Sequence, residues 1–250
     1  MHIGMIGGIG PAATEFYYRN LVKAYKTANK KLELTIVHAE ARDVINNVAS
    51  KASDKQARLF FEMAQRLQKA GSDVVVISSI VAHFCISDFE ALSPLPVINI
   101  IDALESEFTK KGLKKVGLLG HGVSMESKLF GGISSAEIVV PLGKEFDYVS
   151  AEYIKMATTG KINFRQRELF FLAGKNMCEK QGAELIVLAG TDLCLAFDGE
   201  ECGFSVMDSA LVHINAICNM KDKSDTNKHQ TSLHCVTLDV SLKLRRLCGR

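Results

Sequence analysis

The chain has no excess of charge, no long apolar run and no paired cysteines. Its formal net charge is +2 across 250 residues, which gives no reason to expect nucleic acid or an acidic membrane as a partner. No stretch approaches the roughly 20 apolar residues needed to span a bilayer. The first apolar strand, Ile3 to Ile6, begins almost at the initiator and leaves no room for a secretory signal, so the expected location is cytoplasmic. Seven cysteines are scattered without a CxxC pair. An odd count in that setting favours free thiols over a disulfide framework. No His/Cys cluster has zinc-ligand spacing, so no metal is assigned.

What is present is the balance of a soluble globular protein, with 47% hydrophobic and 23% charged residues. The stretch Val74-Val75-Val76-Ile77-Ser78-Ser79 organises the rest. Four consecutive β-branched residues cannot form a one-faced pattern, so both faces of this strand are expected to be covered, as in a parallel sheet. The serines then fall at the carboxyl edge, where open α/β sheets bind ligands. Leu185-Ile186-Val187-Leu188-Ala189-Gly190-Thr191-Asp192 repeats the design later in the chain.

The N-terminal IGMIGGIGPAAT reads as strand, glycine turn and helix start. Gly8, Gly10 and Ala13, with Glu40 after the next strand, fit a dinucleotide fingerprint, although a lone fingerprint is weak. The alternative is a tight turn whose free N–H groups hold any anion, a carboxylate included. Pro11 suits the first helical turn. Further elements are expected as strands at 34–37, 97–100, 137–141 and 205–208. Helices are expected to about residue 26 and over 53–71, 102–112, 151–156, 164–181 and 209–219. His38 and Glu40 should alternate onto one side of the second strand.

The pattern restarts at Lys115-Val116-Gly117-Leu118-Leu119-Gly120-His121-Gly122, and Gly7 to Ser79 is nearly the same interval as Gly120 to Gly190. The expected architecture is α/β, with two pseudo-symmetric domains, each a mainly parallel sheet flanked by helices, and a ligand cleft between them. Residues 1–105 with 208–220 would form the first domain and 106–207 the second. Residues 221–250 would be an extension, polar at first and then carrying Leu233, Val236, Val240, Leu244 and Leu247 at helical spacing.

The opening GMIGGIGPAAT, VGLLGHGVSMES and the closing MDSALVHINA resemble the aspartate/glutamate racemase family of cofactor-independent amino-acid racemases. The resemblance implies a small amino acid or dicarboxylate as ligand, neither pyridoxal phosphate nor metal as cofactor, and is compatible with a homodimer. It also implies two catalytic cysteines, one per half, in Cys-Asn-Thr-Ala-His and Gly-Cys-Thr-Glu blocks. Here the matching residues are Ser79, Ile80, Val81, Ala82 and His83, and Ala189, Gly190, Thr191 and Asp192. Both thiols are missing. A serine hydroxyl lacks comparable basicity and needs an adjacent base, and glycine offers no side chain. Two-thiol racemisation should therefore fail on both faces.

Cys85 and Cys194 are poor substitutes. At a rise of about 1.5 Å per residue they lie roughly 9 and 6 Å beyond Ser79 and Gly190, whereas proton transfer needs about 3 Å. Ser79, His121 and Asp192 are the catalytic candidates. His121 is weighed against a polar rim residue, and Asp192 against a group that orients its neighbours. Gly10, Arg42, Ser79, Ile80, Val81, His83, Ser124, Lys161, Gly190 and Thr191 are the expected ligand-binding positions. Arg42 and Lys161 stand where the resemblance implies basic residues near the substrate, although either could equally be a solvated charge, and His83 could be a tether for its loop. The leading reading is a racemase-like isomerase or lyase with non-thiol chemistry. A catalytically inactive amino-acid-binding paralogue or partner subunit is the alternative, and a nicotinamide-dependent oxidoreductase ranks below both.

Overall fold

The two apolar runs become fully buried strands of two separate parallel sheets. The computed structural model describes residues 1–220; the expectations for 221–250 lie outside the described residues. The first half runs β1 (His2–Gly7), α1 (Pro11–Thr27), β2 (Glu33–His38), α2 (Ala41–Ala49), α3 (Ser53–Lys69) and β3 (Val74–Ile77). A 3₁₀ turn (Val81–Cys85), α4 (Ile86–Leu92) and α5 (Ile100–Lys111) complete it. The second half runs β4 (Lys115–Gly120), α6 (Gly122–Glu126), β5 (Glu137–Val139), α7 (Lys144–Thr159), α8 (Phe164–Gln181) and β6 (Leu185–Ala189). It ends with α9 (Cys194–Phe197), β7 (Val206–Asp208) and α10 (Ser209–Cys218).

Strand orders are β2-β1-β3 and β5-β4-β6-β7, all parallel. A single parallel bridge from Val75 to Val97 sits where β7 sits in the second sheet. The halves thus share one plan.

Every residue of β3 is buried because the two faces of the sheet have different covers. Val75 and Ile77 pack with Ile6 against Ala57, Phe60, Ala64 and Leu67, the apolar stripe of α3. Val74 and Val76 pack with Ile3 and Met5 against Phe16, Tyr17 and Leu21 of α1. Burying a side chain such as Leu67 or Phe60 stabilises the fold by about 1.5–3 kcal/mol. Gly71, at φ 87°, ends the α3 segment in a conformation that favours glycine.

The last helix of each half packs on the other half. Ile101, Leu104 and Phe108 of α5 belong to the core built on β4 and β6. Ile214 and Ile217 of α10 belong to the core built on β1 and α1. Residue 105 therefore lies within a helix whose buried face serves the second sheet. This exchange fixes the two carboxyl edges relative to each other.

Three local expectations change. Residues 97–100 form only the bridge at Val97, because Asn99 caps α5 by accepting the Ile101 N–H at 2.9 Å and Ile100 is already helical. Glu40 does not continue β2 beside His38. It caps α2, a helix not expected from the sequence, whose buried face is only Val44, Asn47 and Val48. The helix expected at 151–156 is longer, spanning Lys144–Thr159.

Candidate active site

The sheet registers place Ser79 and Gly190 at equivalent points. Ile6 pairs with Ile77 and Leu119 with Leu188, and the two residues follow those partners by the same offset. The strand ends meet across the halves: Thr191 Oγ1 donates to the Ser78 carbonyl at 3.1 Å. Ser78 Oγ lies 3.3 Å from Thr14 Oγ1. Thr14 in turn closes the glycine turn, accepting from Gly8 N–H at 2.8 Å and donating to the Gly10 carbonyl at 3.1 Å.

Asp192 joins the halves most directly. Its Oδ1 accepts the Ala13 N–H at 3.1 Å, and its Oδ2 accepts from the Tyr153 hydroxyl at 3.3 Å. The carboxylate lies so close over Gly10 that a Cβ there would stand 2.2 Å from Oδ2. Gly10 is thus glycine because a side chain from the other half occupies its space. The first turn of α1 provides unpaired N–H groups and a favourable dipole for this anion. Burial nevertheless dominates and pushes the Asp192 carboxyl up to about 6, with the Ala13 N–H and Tyr153 hydroxyl opposing the rise.

Gly190 faces Tyr153. A Cβ at Gly190 would fall 2.3 Å from the tyrosine ring. The ring of His121 meets Tyr153 edge-on, with centroids 6.0 Å apart. His121 caps α6, its Nδ1 accepting the Val123 N–H at 3.2 Å. The neutral imidazole therefore carries its proton on Nε2, and burial holds its pKa below the usual histidine range.

His83 is a tether. Its Nε2 accepts the Ile100 N–H at 3.5 Å, so Nδ1 donates to the Ser79 carbonyl at 2.9 Å. Burial, reinforced by nearby His213, lowers its pKa to about 3. Ile80 packs in the second core and Val81 in the first. Ser124 Oγ is fully buried and has no hydrogen-bond partner among the described residues. Arg42 and Lys161 are exposed, on the first turn of α2 and after the α7 stop. Among the described residues, no hydrogen bond or ion pair joins either side chain to this cluster. His38 and Glu40 are also exposed.

Cys85 and Cys194 are buried. Burial pushes the Cys85 thiol up to about 12 and raises that of Cys194 as well, so both stay protonated at neutral pH. Cavities of about 430 and 320 Å³ lie elsewhere, beside Val22 and Lys26 of α1 and beside Tyr148 and Arg165 of α7 and α8. Among the described residues, no group of three or more His, Cys, Asp or Glu side chains is placed to hold a metal, and no helix is long and apolar enough to cross a membrane.

Tyr153 is the residue that sequence reasoning missed. It shares a buried stripe with Val149 and Met156 on α7, a spacing that reads only as core.

A family profile described as Asp/Glu/Hydantoin racemase matches residues 6–217. The chain belongs to this family. A crystal structure of an aspartate racemase homologue from Pyrococcus horikoshii is 26% identical, with a TM-score of 0.70 over 86% of this chain and 97% of that one. The aspartate racemase of Picrophilus torridus (19% identity, TM-score 0.68, 87% and 93% covered) shares the fold. So does the glutamate racemase of Campylobacter jejuni (16% identity, TM-score 0.57, 87% and 83% covered).

Proposed function

We propose that the contact zone between the two strand ends binds a small amino acid or dicarboxylate, and that turnover there is an isomerase- or lyase-type step other than two-thiol racemisation. The observation that carries this reading is the Asp192 carboxylate seated on the Ala13 N–H. It brings the α1 turn of the first half and the β6 strand end of the second half together at one buried carboxylate, on a scaffold whose relatives include an aspartate racemase and a glutamate racemase. Hydroxyls of Ser78, Ser79 and Thr191 surround the same strand ends.

The groups differ in what they can do. Asp192 is ionised above about pH 6 and is the basic group at the strand ends. His121 begins as a donor through Nε2, and acting as a base there would require it to give up the α6 cap. Ser79 is a hydroxyl that Asp192 or His121 would have to activate. The inactive-paralogue reading has one observation in its favour: Tyr153 and Asp192 fill the space above Gly190 and Gly10.

Incubation with L-aspartate or L-glutamate in D₂O should give no α-deuterium exchange, followed by NMR. Rapid exchange would overturn the claim that the missing thiols matter. At least one amino acid or dicarboxylate should raise Tm, as mass action requires for a ligand of the native state, and flat curves throughout would sink the binding reading. NAD(P) should leave Tm unchanged, because Gly8 N–H and Ala13 N–H already donate to the chain's own side chains.

A further inference from the structure

We propose that Tyr153 supplies the second face of this site, its phenol taking the place that a side chain at residue 190 would occupy. The inference rests on the binding reading above. Gly190 has φ −154° and ψ 114°, an extended conformation open to any residue. Backbone strain therefore does not require glycine there. Space does: a Cβ at 190 would lie 2.3 Å from Cε2, 2.5 Å from Cζ and 2.7 Å from the hydroxyl oxygen of Tyr153. The side chain of residue 190 and the end of the tyrosine ring are mutually exclusive occupants of one volume.

Three contacts hold the ring there. The hydroxyl donates to Asp192 Oδ2, the edge meets His121, and the α7 stripe of Val149, Tyr153 and Met156 anchors its base in the second core. The bond to Asp192 is long, at 3.3 Å, so a ligand oxygen could compete for the phenol proton while Asp192 keeps the Ala13 N–H. Burial and the neighbouring Asp192 raise the tyrosine pKa well above its ordinary value. This wall therefore donates a hydrogen bond and does not remove a proton. The ligand class it suits is a carboxylate that presents an oxygen acceptor to the second half. The opposite wall, at Ser79, is built from the strand end itself. The two faces are chemically unlike.

The test is a substitution cycle with a binding arm. Gly190→Ala should lower Tm by roughly 5–10 °C in the native background, because overpacking against a fixed ring is costly. In a Tyr153→Ala background the same change should cost little. Equal losses in both backgrounds would overturn the shared volume. Tyr153→Phe keeps the ring and avoids a cavity, so it should fold normally. It should weaken binding of whichever of L-aspartate, L-glutamate, malonate or succinate stabilises the native protein, by about tenfold for one lost donor. Unchanged affinity in Tyr153→Phe would make Tyr153 a packing residue only and overturn the proposal. A native protein indifferent to all four ligands would instead sink the binding reading, while the Gly190 cycle would still decide who occupies the volume.

Discussion

Asp192→Ala is expected to destabilise the protein by about 3–4 kcal/mol, measured by urea unfolding at pH 7. The change leaves two buried donors, the Ala13 N–H and the Tyr153 hydroxyl, without an acceptor, each costing about 1–3 kcal/mol. It also opens a void over Gly10. Asp192→Asn keeps the shape and removes the charge, which separates packing from ionisation. Burial raises the folded carboxyl to about 6, above the ordinary carboxylate value of 3.8. Its proton linkage therefore stabilises the native state fully below the unfolded pKa, and that contribution is lost as pH rises through about 6. The ionised group that native Asp192 carries at pH 8 is absent from the asparagine variant. Asp192→Asn should thus compare better with the native protein at pH 8 than at pH 4, by on the order of 2–3 kcal/mol. A difference between the two proteins that stays flat from pH 4 to pH 8 would show that Asp192 is not the buried carboxylate described.

The strands that carry the site were legible in the sequence because their signal is local. Val74–Ile77 and Leu185–Ala189 are unbroken apolar runs, and two-sided burial in parallel sheets follows from that alone. The glycine turns at Gly8 and Gly120 were legible for the same reason. The contents of the cleft were less so. Tyr153 reaches Gly190 from α7 and Asp192 reaches Gly10 from the other half, and neither approach leaves a mark in nearby residues. A glycine announces that something is close without saying what. The missed helix α2 shows the complementary limit: three buried residues make too narrow a stripe, and its start depends on a Glu40 cap that resembles strand continuation. Arg42 and Lys161 are implied by the family resemblance alone, and both stand exposed.

The second large effect is expected at His213, outside the cleft but beneath its first wall. His213 Nε2 donates to the Ile98 carbonyl at 2.7 Å, and Nδ1 accepts from the Tyr17 hydroxyl at 2.8 Å. This joins α10 to α1 and to the segment before α5. His83 meets it edge-on, with centroids 6.4 Å apart, and fastens the Ser79 carbonyl. His213→Ala should cost about 3–5 kcal/mol, since it leaves a cavity and strands both partners. Acid should act through the same pair. Burial lowers the pKa of His83 to about 3 and of His213 to about 4. Both groups are neutral when folded, so their contribution is present above the unfolded value near 6.5 and is lost as pH falls toward the folded pKa values. The raised carboxyls of Asp192 and Asp208 act in the opposite direction over part of that range, so the native slope is a difference between opposing groups. The comparison with His213→Gln isolates one of them. Between pH 6 and pH 4 the variant should lose stability less steeply than the native protein, by about 1.4 kcal/mol per pH unit, the linkage of a single proton. Parallel pH profiles for the two proteins would mean that His213 is not held neutral by the fold, and that the tie between Ser79 and the two exchanged helices is looser than its hydrogen bonds imply.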